Sequence, residues 1–234
     1  MILAVEGLEA GYGEATVLHG VDLAVDDGEV IVVLGPNGHG KTTLLRAISG
    51  LIPTAAGSLR FAGEDVTGWS ADKIAEAGLI HIPQGDLLFG EMTVEDNLLM
   101  GAYVKAAWKQ RKKRLKRVYE VLPLLKNRRG QLANSLSGGE RRLLAIGRGL
   151  MAEVKLLMID EPSLGLAPRM IDLVYEQIHA IKQSGLAVLL ADENMDHIEQ
   201  LADRVLLLES GLFVREGAAD ELLADEALLS AYLG

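Results

Sequence analysis

Cysteine is absent from the 234 residues, which excludes disulfides and thiolate-held metals and agrees with a reducing compartment. No apolar run approaches the roughly 20 residues that a membrane-spanning helix needs; Val30 to Leu34 and Leu186 to Ala191 are among the longest. The opening Met1-Ile2-Leu3-Ala4-Val5-Glu6 meets an acid almost at once and has neither a basic start nor a long apolar segment. No secretory leader is expected there, and the chain is placed in the cytoplasm. Positive charge is also scarce. The 23 Lys and Arg against 33 Asp and Glu leave a formal charge of -10, which argues against nucleic acid as the main partner, because phosphate backbones are bound by clustered cations.

One stretch breaks that balance. Lys105, Lys109, Arg111, Lys112, Lys113, Arg114, Lys116 and Arg117 follow one another with no acid between them, on a segment that otherwise reads as helix. Such a run is ordinarily a solvated helix face, and contact with anionic lipid or an acidic partner surface is the alternative. Apolar residues, by contrast, are plentiful. At 49% hydrophobic the chain can bury a substantial core, as one large domain or one domain carrying an inserted lobe.

Along the first thirty residues, apolar and polar positions alternate between Gly and Asp punctuation, as in Glu14 to His19 and Val21 to Val25, which predicts short antiparallel strands. The run Glu29 to Leu34 is β-branched and nearly all apolar, stops at Gly35-Pro36 and is followed by a helical stretch from Lys41 to Ile48. Further buried strands are predicted at Lys155 to Asp160, Ala187 to Leu190 and Arg204 to Leu208, with helical periodicity between them. That alternation predicts a parallel sheet with crossover helices. Between about 87 and 150 only helical patterns occur, at Thr93 to Lys105, Gln110 to Leu125 and Ser137 to Met151. They read as a helical insertion in an α/β domain.

Gly35-Pro36-Asn37-Gly38-His39-Gly40-Lys41-Thr42 matches the phosphate loop G-x-x-x-x-G-K-[ST] and lies where that pattern has meaning, between a buried strand and a helix. Glycines let successive N–H groups and the helix terminus face phosphates, Lys41 reaches the β- and γ-phosphates, and Thr42 offers a hydroxyl to Mg²⁺. Leu156-Leu157-Met158-Ile159-Asp160-Glu161 supplies the second half: an apolar strand ending in two acids. Asp160 would hold Mg²⁺, directly or through water, and Glu161, just beyond the strand, would polarise the attacking water as general base.

A third motif narrows the class. Leu136-Ser137-Gly138-Gly139-Glu140, ahead of the acidic strand and followed by a basic helical stretch from Arg141, resembles the LSGGQ-like signature of ABC transporter ATPases. The resemblance covers essentially the whole chain. It implies an α/β fold, a P-loop NTPase with a RecA-like parallel-sheet core, an antiparallel β lobe and an inserted helical lobe. It places the β lobe and core in 1–86 and 152–234, and the helical lobe in 87–151, of a single ATPase domain. It implies that Ser137, Gly138, Gly139 and Glu140 reach the γ-phosphate bound by a second ATPase subunit. Tyr12, in Gly11-Tyr12-Gly13, matches the residue that stacks on adenine; Thr43 extends the phosphate loop. Gln84, in His81-Ile82-Pro83-Gln84, matches the glutamine that senses Mg²⁺ and the γ-phosphate and leads into the lobe where membrane subunits dock. ATP and Mg²⁺ are the implied cofactors.

Three positions depart from the family pattern. Glu193 stands where most members have a histidine that contacts the γ-phosphate; repulsion between carboxylate and phosphate predicts that it turns away or acts through water. His197, one turn on, reads as a surface residue. Ala167 replaces an aspartate common in the loop Ser163-Leu164-Gly165-Leu166-Ala167-Pro168. His39 is unusual inside a phosphate loop; its side chain either points outward or, protonated near its reference pKa of about 6.5, strengthens phosphate binding. The loop Ser163 to Pro168, Glu193, the compact length and the final Ala231-Tyr232-Leu233-Gly234 resemble the shorter, LivF-type ATPase of branched-chain amino acid importers, although that subgroup often carries a glutamate at the place of Gln84. The partners this implies are two membrane permeases, a second ATPase subunit (a longer homologue or a second copy), and indirectly a solute-binding protein, with the chain peripheral on the inner face of the membrane. Uptake systems for urea or short amides share most of the pattern, and an exporter ATPase would use identical chemistry.

Overall fold

The computed structural model describes residues 1–224; Ala231 to Gly234 lie outside the described residues. The chain begins with strands β1 (Leu3–Tyr12), β2 (Ala15–Val25) and β3 (Val30–Leu34), then helix α1 (Lys41–Ile48). β4 (Thr54–Phe61), β5 (Glu64–Asp65), α2 (Ala71–Ala77) and β6 (Leu79–Ile82) follow. Helices α3 (Val94–Met100), α4 (Lys105–Lys109), α5 (Arg111–Val121), α6 (Pro123–Asn127) and α7 (Gly138–Leu150) come next. The remainder is β7 (Leu156–Asp160), α8 (Pro168–Gln183), β8 (Ala187–Asp192), α9 (Ile198–Leu201), β9 (Arg204–Glu209), β10 (Leu212–Ala218) and α10 (Ala219–Leu223).

Two sheets result. One is antiparallel with order β2-β1-β4-β5, and the other runs β10-β9-β3-β8-β7-β6, parallel except for β10. β3, β7 and β8 are buried on both faces, which is why they read as continuous apolar runs. Val30, Val32 and Leu34 of β3, with Leu157 and Ile159 of β7, face a core shared with α3, α7 and α8. Ile31 and Val33, with Leu156 and Met158, face a second core shared with α1 and the antiparallel sheet. The strand ends are thereby clamped from both sides, and the loops beyond β3, β7 and β8 meet at one edge of the sheet. In open α/β sheets ligands bind beyond such carboxyl ends.

The predicted elements shift in physically readable ways. Instead of two short strands, β2 is continuous, with Gly20 at φ 75° in its middle. Pro123 divides the helix predicted over Gln110 to Leu125, because its ring and missing N–H cannot continue the turn. The helix predicted to run to Lys105 ends at Met100, and α4 starts afresh at Lys105. At Gly101 a Cβ would collide with the carbonyl oxygen of Arg148, so the chain passes against α7 only as glycine. β4, β6 and β10 carry no strong periodicity and join the sheets through their neighbours. No helix among the described residues is long and apolar enough to cross a membrane.

Candidate active site

Beyond Leu34 the chain turns through Gly35 to Gly40 before α1 begins at Lys41. Gly38 and Gly40 sit at φ 84° and 110°, a region glycine enters without a Cβ penalty. The first N–H groups of α1 have no partner within the helix and carry the positive end of its dipole. Gly35 is required for another reason: a Cβ there would collide with the Leu208 carbonyl oxygen on β9.

Lys41 is buried, with Nζ donating to the carbonyl oxygens of Gly35 at 2.7 Å and Pro36 at 3.2 Å. The same ammonium lies 3.4 Å from Glu161 Oε1, and Gln84 Nε2 donates to Glu161 Oε2 at 2.9 Å. Both carboxylate oxygens of Glu161 are therefore engaged by residues 77 and 120 positions away in sequence. Its backbone is held too: Glu161 adopts φ 45°, and its N–H donates to Ala191 O at 2.8 Å. A non-glycine residue in this region costs about 1–3 kcal/mol and persists where its surroundings hold it.

One residue back, the Thr42 hydroxyl donates to Asp160 Oδ1 at 3.1 Å. Asp160 Oδ2 is buried and has no hydrogen-bond partner. Burial pushes the Asp160 carboxyl above the usual carboxylate range; the Thr42 hydroxyl opposes this and the Glu161 charge adds to it. An unpartnered buried oxygen is costly, and a hydroxyl beside a carboxylate is the hard oxygen donor set that Mg²⁺ takes. Thr42 and Asp160 thus fit the cation. Gln84 engages Glu161 through its amide nitrogen, Nε2, and not through its carbonyl oxygen, the atom that would meet a cation.

Tyr12 ends β1, and its ring is exposed, with the hydroxyl accepting from Arg46 Nη1 of α1 at 3.2 Å. Ser137 caps α7: its Oγ accepts from Glu140 N at 3.4 Å while Glu140 Oε2 accepts from Ser137 N at 2.8 Å, a reciprocal capping box. Among the described residues no hydrogen bond or ion pair joins Ser137 to Glu140 with the phosphate loop or with Asp160 and Glu161. A Cβ at Gly139 would press on Met170 of α8, chiefly on the terminal methyl of a flexible side chain that can move aside. Gly139→Ala is therefore expected to change stability by less than about 1 kcal/mol, because the helix gain from replacing glycine offsets the repacking, read as a thermal midpoint near wild type.

Several contacts were not foreseen. Glu193, expected to turn away from the γ-phosphate or to act through water, accepts from Asn37 Nδ2 of the phosphate loop at 2.6 Å. The His39 ring is tied to the β9–β10 turn, where its Nδ1 accepts from Ser210 N at 3.1 Å. His197 is half-buried at the surface. It stacks on Tyr175 with centroids 4.8 Å apart and lies 3.1 Å from Asp172 Oδ1. Ala167 takes the N-cap position of α8 with Pro168 following and no side-chain cap.

Asp192, fully buried at the end of β8, was missed altogether. It accepts from Ser163 Oγ at 2.8 Å, Tyr175 Oη at 2.6 Å and the N–H groups of Glu193 at 2.7 Å and Asn194 at 3.2 Å. Burial and the Asp192 charge push the Tyr175 phenol far above its usual range, so it remains a donor. Its signal was present, an apolar strand ending in an acid as at Asp160. A further missed link is Arg142, whose Nε lies 3.0 Å from Asp86 Oδ1 and whose Nη1 donates to Asp160 O at 3.4 Å, tying α7 to the loop after Gln84.

A glycine phosphate loop, an acid-ended parallel strand and an adjoining carboxylate at one sheet edge define a P-loop nucleotide hydrolase. The profile of the family described as ABC transporter matches residues 18–164. Over 233 residues, and all of both chains, this protein is 38% identical to the high-affinity branched-chain amino acid transport ATP-binding protein BraG of Pseudomonas aeruginosa. It is 32% identical to the probable branched-chain amino acid transport ATP-binding protein LivF of Archaeoglobus fulgidus, covering 97% of this chain and 96% of the other. A crystal structure of a nucleotide-free ATP-binding cassette from an ABC transporter superposes with a TM-score of 0.86 at 26% identity, covering 100% of this chain and 99% of that one. The chain belongs to the ABC transporter family, as an ATPase that uses ATP and Mg²⁺.

Proposed function

We propose that this chain is one ATPase domain, with the helical lobe spanning 87–151, that drives an importer of branched-chain amino acids. It would work on the inner face of the membrane beside two permeases, paired with a second ATPase subunit that is a longer homologue or another copy, and served indirectly by a solute-binding protein. The observation that carries the ATPase reading is the convergence of Lys41, Thr42, Asp160 and Glu161 beyond β3 and β7. The full-length likeness to BraG supports the substrate.

In this reading, Lys41 exchanges the Gly35 and Pro36 carbonyls for phosphate oxygens, and its departure frees the carboxylate of Glu161. Glu161, still oriented by Gln84, takes a proton from the water that attacks the γ-phosphate. Thr42 and Asp160 would hold Mg²⁺, which neutralises charge on the phosphate oxygens. Ser137 to Glu140, held by their own capping box and by the ion pair of Glu140 Oε1 with Arg128 Nε at 3.2 Å, serve the nucleotide of the paired subunit through the N–H groups that open α7. Tyr12 stacks on the adenine.

The permeases are assigned to a cavity of 460 Å³ between β6, the loop after Gln84 and α7. Leu87, Phe89, Met100 and Tyr103 line it and are exposed, an apolar patch that asks for a partner. The loop forming its wall leads straight from Gln84, so movement there is linked to Glu161 by one hydrogen bond.

The test is uptake of labelled leucine, isoleucine, valine and urea by source cells carrying Lys41→Ala. Loss of branched-chain uptake alone is expected. Loss of urea uptake with branched-chain uptake intact would move the chain to the amide systems, and no change in any would favour export.

A further inference from the structure

The nucleotide chemistry makes no use of the basic run on α4 and α5. Val118 is buried and Leu115 half-buried, so one side of α5 is anchored to the helical core. Lys112, Lys113, Lys116 and Arg117 are exposed, at the spacing of a single helix face. Lys105 and Lys109 extend that exposed charge along α4. Among the described residues Lys105, Lys109, Lys112, Lys113 and Arg117 have no ion-pair partner, whereas Arg114 is turned inward to donate to Ala152 O at 2.6 Å. Five unpaired cations gathered on one surface of a chain of charge -10 are a concentration that the overall composition opposes.

The aromatic neighbour is the second observation. Trp108 is 47% exposed, with the Arg111 guanidinium 4.4 Å from its ring centroid. A tryptophan ring that keeps a cation over one face while remaining open to solvent is suited to the boundary between water and acyl chain, where an apolar body and a polar edge are both satisfied. Position is the third. Met100 and Tyr103 line the cavity assigned above to the permeases, and α4 starts two residues beyond Tyr103. The cationic face therefore continues from the side of the molecule turned to the membrane components.

We propose that this face of α4 and α5 contacts an anionic bilayer surface, the cations meeting lipid phosphates and Trp108 entering the headgroup layer. The location rests on the permease-docking reading, and the charge and aromatic chemistry do not.

The full-length protein is sedimented with vesicles of phosphatidylcholine alone and of equal parts phosphatidylcholine and phosphatidylglycerol, at low and high salt. Selective, salt-sensitive binding to the anionic vesicles is expected. The combined substitutions Lys109→Gln, Lys112→Gln, Lys113→Gln and Lys116→Gln should lower the partition coefficient by roughly 600-fold, since each cation near such a surface contributes about fivefold. Trp108→Ala should weaken binding by a smaller factor that persists at high salt. ATPase rate and thermal midpoint should match wild type in both variants. Equal binding to both vesicle types, or undiminished binding of the fourfold variant, overturns the proposal. So does displacement from the vesicles by RNA at matched phosphate concentration, which would assign the face to nucleic acid. Lys41→Ala should bind vesicles as wild type does, so failure of the transport reading and failure of this one are separately visible.

Discussion

Glu161→Gln is expected to lower kcat for ATP hydrolysis by about 10²–10⁴-fold, the range that a positioned general base contributes, while ATP binding is retained. The substitution is nearly isosteric and leaves the glycine loop, Lys41 and the Thr42–Asp160 pair in place. It removes the carboxylate charge that Lys41 faces at 3.4 Å. With less holding Lys41 inward, nucleotide affinity should stay level or rise. Phosphate release measured beside the binding of a fluorescent ATP analogue separates the two quantities. If the variant keeps near-normal turnover while Glu193→Ala abolishes it, the base is Glu193 and the assignment made here is wrong. The Asn37–Glu193 bond leads to the opposite expectation, a modest effect of Glu193→Ala, because that carboxylate is committed to an amide of the phosphate loop.

The second large effect concerns stability. Asp192→Ala removes the acceptor for two hydroxyls and two backbone N–H groups in a fully buried position. Each buried donor left without a partner costs roughly 1–3 kcal/mol. Allowing for local rearrangement and water entry, the total should reach about 3–5 kcal/mol. For a chain of this size that corresponds to a fall in Tm of about 6–20 °C. Tyr175→Phe is the matched control: it deletes one donor of the set and should cost about 1 kcal/mol. Thermal or urea unfolding of the two variants distinguishes a shared hub from a set of independent bonds. A similar, small loss in both would show that Asp192 is not the hub. The consequence reaches the active edge of the sheet, since Ser163 follows Glu161 by two residues and Glu193 adjoins Asp192.

Much of the active edge was legible from residue order. The phosphate loop and the Asp160-Glu161 pair lie at the ends of apolar runs, and those runs form β3 and β7 within a residue of their predicted limits. The capping box of α7 was equally local, with Ser137 and Glu140 three residues apart. Errors arose where periodicity was weak or a side chain acted at a distance. β6 is only four residues long and is a strand because β7 pairs with it. His197 carries no sequence mark of its stack on Tyr175, which depends on how α8 and the segment after β8 pack.

Residue order alone determined the chemistry this protein carries. Glycines that tolerate φ near 84° and 110°, a lysine and hydroxyl at a helix start, and acids at a strand end are properties of short segments whose geometry is set by neighbouring bonds. Tertiary structure decided which of these groups hold one another. Lys41 and Glu161 are 120 positions apart and Asn37 and Glu193 are 156 apart, so their meeting depends on the parallel order of β3, β8 and β7. Burial on both faces of that sheet brings the strand ends into one layer. The same burial removes water from Asp160 and Asp192, and partners for their carboxylates must then come from elsewhere in the fold.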